Sequence, residues 1–175
     1  MKRSISLWQL MGFALTSLGG TLLHFLYEWS GNSLWIAPIS GVNESTWEHM
    51  KLLYFPMFVF ALFQNRYFAD RKDFWCVKLI GVITGLTAIP VLFYTYNGIF
   101  GKSPDWFNIA IFFIAAAIAY LTENYLYNRQ RITCAYSRLS FAALCIIGLF
   151  FIIFTFIPPQ IPLFEDPISG KYGIQ

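Results

Sequence analysis

The sequence predicts an all-α membrane protein, a bundle of five transmembrane helices. Three observations point there. Of the 175 residues, 57% are hydrophobic and 20% aromatic, and only 12% are charged; a soluble domain carries roughly a quarter. The charges sit in short patches between apolar runs, and each run reaches the roughly 20 residues that a helix needs to cross a bilayer core. The runs do not alternate. "AIFFIAAAIAY" lacks the two-residue period of a β-barrel strand, the other structure that can span a membrane. The net charge of +3 is scattered between apolar segments, so it does not signal nucleic-acid binding.

The first span runs from about Leu7 to Trp29. It starts basic and turns apolar, as a signal peptide does. Its apolar part is too long for an h-region, however, and no small-residue cleavage site follows, so it reads as a retained helix. The others cover about Ser45–Phe68, Phe74–Tyr94, Trp106–Tyr127 and Leu139–Ile157, with a tail from Pro158 to the end. There is no repeat and no linker, so 1–175 reads as one helical domain. Small residues mark the packing faces. Gly12, Thr16 and Gly20 recur every four residues in the first span and lead on to His24 and Glu28; the third has Gly81 and Gly85, the fourth Ala115 and Ala119.

Basic residues set the expected orientation. Lys2, Arg3, Arg66, Arg71, Lys72, Arg129, Arg131 and Arg138 fall on one side of a five-span arrangement, and Lys102 and Lys171 on the other. The N-terminus is therefore expected inside and the C-terminus outside, in a plasma membrane. Trp8 and Trp75 then mark inner interfaces, and Trp29, Trp47 and Trp106 outer ones, as an aromatic belt would. Cys76 and Cys134 lie on the reducing side and Cys145 within a span, so no disulfide is expected.

The segment "GVNESTWEHMKLLYFP" (Gly41–Pro56) gathers ionisable groups at the entrance of an apolar helix. At 1.5 Å per residue, His24 lies about 24 Å above the inner interface and Glu28 about 30 Å. Lys51, His49 and Glu48 lie at about 22, 26 and 27 Å. Both histidines thus share a level just inside the outer leaflet with Glu48 and Lys51, while Glu28, Asn43 and Glu44 sit at its mouth. Part of this pattern is helix capping. Asn43 and Ser45 are good caps, "STWE" is a capping box, and acids in a first turn suit the helix dipole. Capping does not explain His24, His49 and Lys51, which lie below it, where ionisable groups are costly and usually face the bundle interior.

Two functional readings remain for this cluster. His24, His49, Glu28 and Glu48 could hold a divalent metal ion such as zinc, which activates water for hydrolysis or transfer. Alternatively the cluster is a polar pocket, for an outer-leaflet lipid headgroup or on a proton or solute path. The tail "IPPQIPLFEDPISGKYGIQ" is too apolar to hang free in water. It is expected to fold over the outer mouth and bring Glu165 and Asp166 near the cluster. Elsewhere, Lys78 and Glu123 share an inner level on small-residue faces, which predicts a structural ion pair, with a cytoplasmic half-channel as the alternative. Pro56 and Pro90 should kink their helices, and Pro56 frees a carbonyl near Leu52.

At "LHFLYEWSG", "GVNESTWEHMKLLYFP" and "PPQIPLFEDPISGKYGI" the chain resembles a family of small bacterial integral membrane proteins of unknown function. The resemblance covers most of the chain. It implies a multi-pass protein of the bacterial plasma membrane, and it supplies no activity and no ligand residues. The residues themselves suggest a metal-assisted hydrolase or transferase acting on a lipid-linked substrate. The alternative is a non-enzymatic protein: a small transporter, a channel component or a partner of another membrane complex.

Overall fold

Five α-helices are present among the described residues: α1 (Lys2–Trp29), α2 (Thr46–Asn65), α3 (Phe74–Phe100), α4 (Asp105–Arg129) and α5 (Ser137–Phe156), followed by one 3-10 turn at Pro162–Phe164. The structure is a computed structural model that describes residues 2–68, 70–129 and 134–174. Arg131, counted above among the basic residues, lies outside the described residues, as do the side chains of Lys2 and Arg3. Among the described residues there is no strand, only an isolated antiparallel bridge between Glu165 and Tyr172 in the tail.

Among the described residues, four helices are long and apolar enough to cross a membrane, in the segments Ser4–Trp29, Phe74–Phe100, Trp106–Arg129 and Ser137–Phe156. The exception is α2, whose first turns carry Glu48, His49 and Lys51. Packing accounts for this. Helix α2 touches each of the other four helices and the 3-10 turn, so its neighbours, rather than lipid, meet its polar groups. Leu52, Leu53, Tyr54, Met57 and Phe60 of α2 are all buried in the main core, with Leu86 and Ile89 of α3, Ala115 and Ala119 of α4, and Leu144 and Phe151 of α5.

Small residues allow the close approaches. A side-chain carbon added at Gly85 of α3 would lie 2.9 Å from the Ala119 methyl of α4 and 3.1 Å from Leu53. One added at Gly20 of α1 would lie 3.0 Å from the Leu52 carbonyl oxygen. That carbonyl sits four residues before Pro56, which offers it no N–H. Gly20 thus lets the backbone of α1 pack over an acceptor that the proline has released.

The end of the bundle holding the start of α1 and the end of α4 is its basic end. There Lys78 Nζ lies 2.5 Å from Glu123 Oε2, and both side chains are buried. Cys76 and Cys134 form a disulfide with Cα atoms 6.1 Å apart, linking the first turn of α3 to the segment before α5. This corrects the expectation of unpaired thiols. That expectation came from the inferred compartment alone; helix packing decides which cysteines meet.

The tail folds back. Phe164 stacks against Trp47 of α2, with ring centroids 4.6 Å apart. Gly173 has a positive φ of 67° and packs against Pro158.

Candidate functional site

The site is built by the connection between α1 and α2. After Trp29 the chain turns through Gly31 and Asn32, whose φ values are 70° and 59°; glycine and asparagine tolerate this left-handed region best. It then returns against α1. The Ser40 hydroxyl accepts from the Tyr27 N–H at 2.9 Å and donates to the Leu23 carbonyl. The Gly41 N–H also donates to that carbonyl, at 3.3 Å. The Leu23 carbonyl, in the last two turns of α1, therefore takes two donors from the connection.

Two side chains of α2 pin the same connection from the other side. Lys51 is fully buried. Its ammonium lies 2.5 Å from Glu48 Oε2 and donates to the Ala37 carbonyl and to Thr155 Oγ1 of α5, both at 2.9 Å. Glu48 Oε2 also accepts from the Val42 N–H at 3.0 Å. With three donors and three acceptors, the Lys51 ammonium is satisfied. A cation in an apolar bundle is stable only on such terms. Ser45 caps α2, accepting from the Glu48 N–H at 3.4 Å. The reciprocal half of the expected capping box is not made, because the Glu48 carboxylate is held by Lys51 and Val42. The Ser45 N–H instead donates to Asn43 Oδ1 at 2.9 Å.

These anchors place Glu44 between the two histidines. Its Oε1 lies 3.5 Å from His24 Nε2 and its Oε2 3.5 Å from His49 Nε2. The imidazole centroids are 5.9 Å apart. One ligand atom from each of His24, Glu44 and His49 lies within 4.8 Å of the other two. None of the three is fully buried. The second ring nitrogen of His49, Nδ1, is 2.9 Å from the Ser45 carbonyl. A carbonyl only accepts, so Nδ1 carries the proton. In neutral His49 the lone pair is then on Nε2 and faces a carboxylate oxygen. Two acceptors face each other there unless a proton or a cation lies between them.

Of the residues proposed from sequence as ligands, the structure brings together His24 and His49. Glu28 is exposed beyond the site, and Glu48 is committed to Lys51. Glu44, placed at the rim by helix counting, is the carboxylate between the rings. Helix counting misplaced it because Glu44 precedes α2 and belongs to the connection. Asn43 ties the tail to the site, donating from Nδ2 to the Gly173 carbonyl at 2.9 Å. The tail acids are engaged within the tail. Asp166 accepts from the Ile168 N–H and the Ser169 hydroxyl, and Glu165 accepts from Tyr172. Ala37, Ser40 and Thr155 were not anticipated. Thr155 alone left a signal, as the one hydroxyl in the apolar run "LFFIIFTFI".

Below the cluster lies a cavity of about 140 Å³, bordered by His24 and His49 at its polar end and by Gly20, Phe25, Leu52 and Phe112 among its apolar walls. A smaller recess of about 20 Å³ adjoins Glu44 and His49 on the side of α3 and α4.

A family profile described as a family of unknown function, DUF6512, matches residues 1–174. The chain belongs to that family. No curated protein and no solved structure matches it. Membership of the DUF6512 family accords with a chain of several apolar helices and assigns it no activity.

Proposed function

We propose that this DUF6512 protein binds a divalent metal ion, zinc being the best fit, through His24, Glu44 and His49, and uses it for hydrolysis or group transfer on a lipid-linked substrate. The observation that carries the reading is the His49 ring. Its Nδ1–H is spent on the Ser45 carbonyl while its Nε2 faces Glu44. Metal-binding histidines are commonly oriented by just such a bond from the other ring nitrogen. Two imidazoles and one carboxylate form a three-ligand set that leaves a coordination position open, as hydrolytic zinc sites do. A zinc ion held there would act as a Lewis acid and activate water. The apolar cavity beside the histidines suits the hydrocarbon part of a membrane-borne substrate, and the polar cluster its headgroup.

The plasma membrane is the proposed location, with the N-terminus inside and the site at the outer face. The alternative of transport has less support. Between the cluster and the Lys78–Glu123 pair lie the buried apolar residues Leu53, Met57, Ala115 and Ala119, and the polar groups described there are those of the Thr16–Tyr120 hydroxyl pair, which are bonded to each other.

Elemental analysis of the purified full-length protein tests the reading. About one divalent ion per chain is expected, lost in His24→Ala and His49→Ala with helical content unchanged. A wild-type protein without bound metal after growth in zinc, or variants that keep it, would overturn the proposal.

A further inference from the structure

At the basic end, α1 and α4 leave a groove of about 300 Å³. Leu10, Phe13 and Ala117 line its apolar stretch, and Ser6, Gln9 and Asn124 its polar stretch. Past Asn124 it continues into an open recess bordered by Asn128 and Arg129. Gln9 is only 4% exposed, and neither amide atom of its side chain has a partner among the described residues. A buried primary amide without partners is costly, more so in an apolar surrounding. Ser6 Oγ donates to Asn124 Oδ1 at 3.1 Å, and Asn128 Nδ2 donates to the same atom at 3.0 Å. Arg129 is exposed. Its guanidinium lies 5.0 Å from the Tyr125 ring centroid and forms no ion pair among the described residues.

The chemistry changes in order along the helix axes: a cation and an amide, then hydroxyl and amides, then hydrocarbon. A glycerophospholipid presents the matching order of phosphate, ester carbonyls and acyl chain. The lengths agree as well. Arg129 and Ala117 are twelve residues apart, about 18 Å of helix, and one leaflet measures about 20 Å from headgroup to midplane.

We infer that the α1–α4 groove binds one anionic glycerophospholipid from the adjacent leaflet. Its phosphate lies at Arg129 and Asn128, its ester region at Ser6 and Gln9, and one acyl chain along Leu10, Phe13 and Ala117. This site is separate from the metal cluster and does not depend on it. A soluble phosphate ester would satisfy Arg129 but would leave the apolar stretch and Gln9 unused.

Native mass spectrometry of the detergent-purified full chain, titrated with phosphatidylglycerol and with phosphatidylcholine, tests this. A single interfacial cation should favour the anionic lipid about fivefold. Arg129→Gln, an exposed change that leaves the fold intact, should remove that preference. Gln9→Leu, similar in size and apolar, should weaken both lipids together and keep the preference. Glycerol 3-phosphate in excess should not compete. Equal binding of the two lipids by wild type, a preference that survives Arg129→Gln, no effect of Gln9→Leu, or displacement by glycerol 3-phosphate would each overturn the assignment.

Discussion

Glu44 and Glu48 are four residues apart, are chemically identical and have opposite roles. Glu48 is 2% exposed and holds the Lys51 ammonium at 2.5 Å; Glu44 precedes the helix and stands between two imidazoles. Their substitutions should therefore separate stability from binding. Glu48→Gln leaves a buried cation without its counter-charge, which typically costs about 3–5 kcal/mol. Its thermal midpoint in detergent should fall sharply while the folded fraction keeps the proposed metal ion. Glu44→Gln should lower the midpoint little and release the proposed metal ion. A Glu48→Gln protein as stable as wild type would show that Lys51 is satisfied without Glu48. The sequence revealed that acids, histidines and a lysine share a level. It did not reveal which acid serves which group, because that choice depends on the Ala37 carbonyl, the Val42 N–H and Thr155, contacts that arise from other elements.

Among the elements, the five expected helices are all present; α4 and α5 end within two residues of the expected limits, while α1 starts at Lys2, five residues before the expected Leu7. Helix α3 runs to Phe100, six residues beyond the expected Tyr94; "YNGIF" stays helical despite Asn97 and Gly98, and the helix ends where Gly101 takes φ 82°. The central position of α2 was not legible. Its polar first turns lower its hydropathy, and only the packing of four neighbours explains how they are tolerated. Those contacts rest on glycine. Gly85→Leu would drive a branched side chain into Ala119 and Leu53, where even a first carbon lies 2.9 and 3.1 Å from its neighbours. Overpacking of this kind typically costs about 1–3 kcal/mol. The variant should melt earlier than wild type in detergent, and Gly98→Leu, where no atom lies within 4 Å of an added carbon, should not. Equal melting of the two variants would mean that α3 and α4 do not pack through Gly85.

For the whole molecule, the distribution of charge and the cysteine pair bear on the same question from opposite sides. Arg66, Arg71, Lys72, Arg129 and Arg138 lie at one end of the bundle, and the positive-inside tendency assigns that end to the cytoplasm. The Cys76–Cys134 disulfide is at that end too, although cytoplasmic thiols are kept reduced. A Cα separation of 6.1 Å falls within the usual range for a disulfide, so the pair can close or open with little backbone movement. On the proposed N-inside orientation, the disulfide of the structure is the oxidised form of a pair that the cytoplasm would hold reduced in growing cells and that closes on treatment with a membrane-permeant oxidant. Labelling with an impermeant maleimide after denaturation or in intact spheroplasts, with Cys145→Ser as background, measures this directly. Thiols that react only once the membrane is breached fit the N-inside arrangement and an outward-facing His24–Glu44–His49 site. A disulfide already present in untreated cells, and reducible from outside intact spheroplasts, would reverse the orientation. The histidine cluster would then face the cytoplasm, and its substrate would have to come from the inner leaflet.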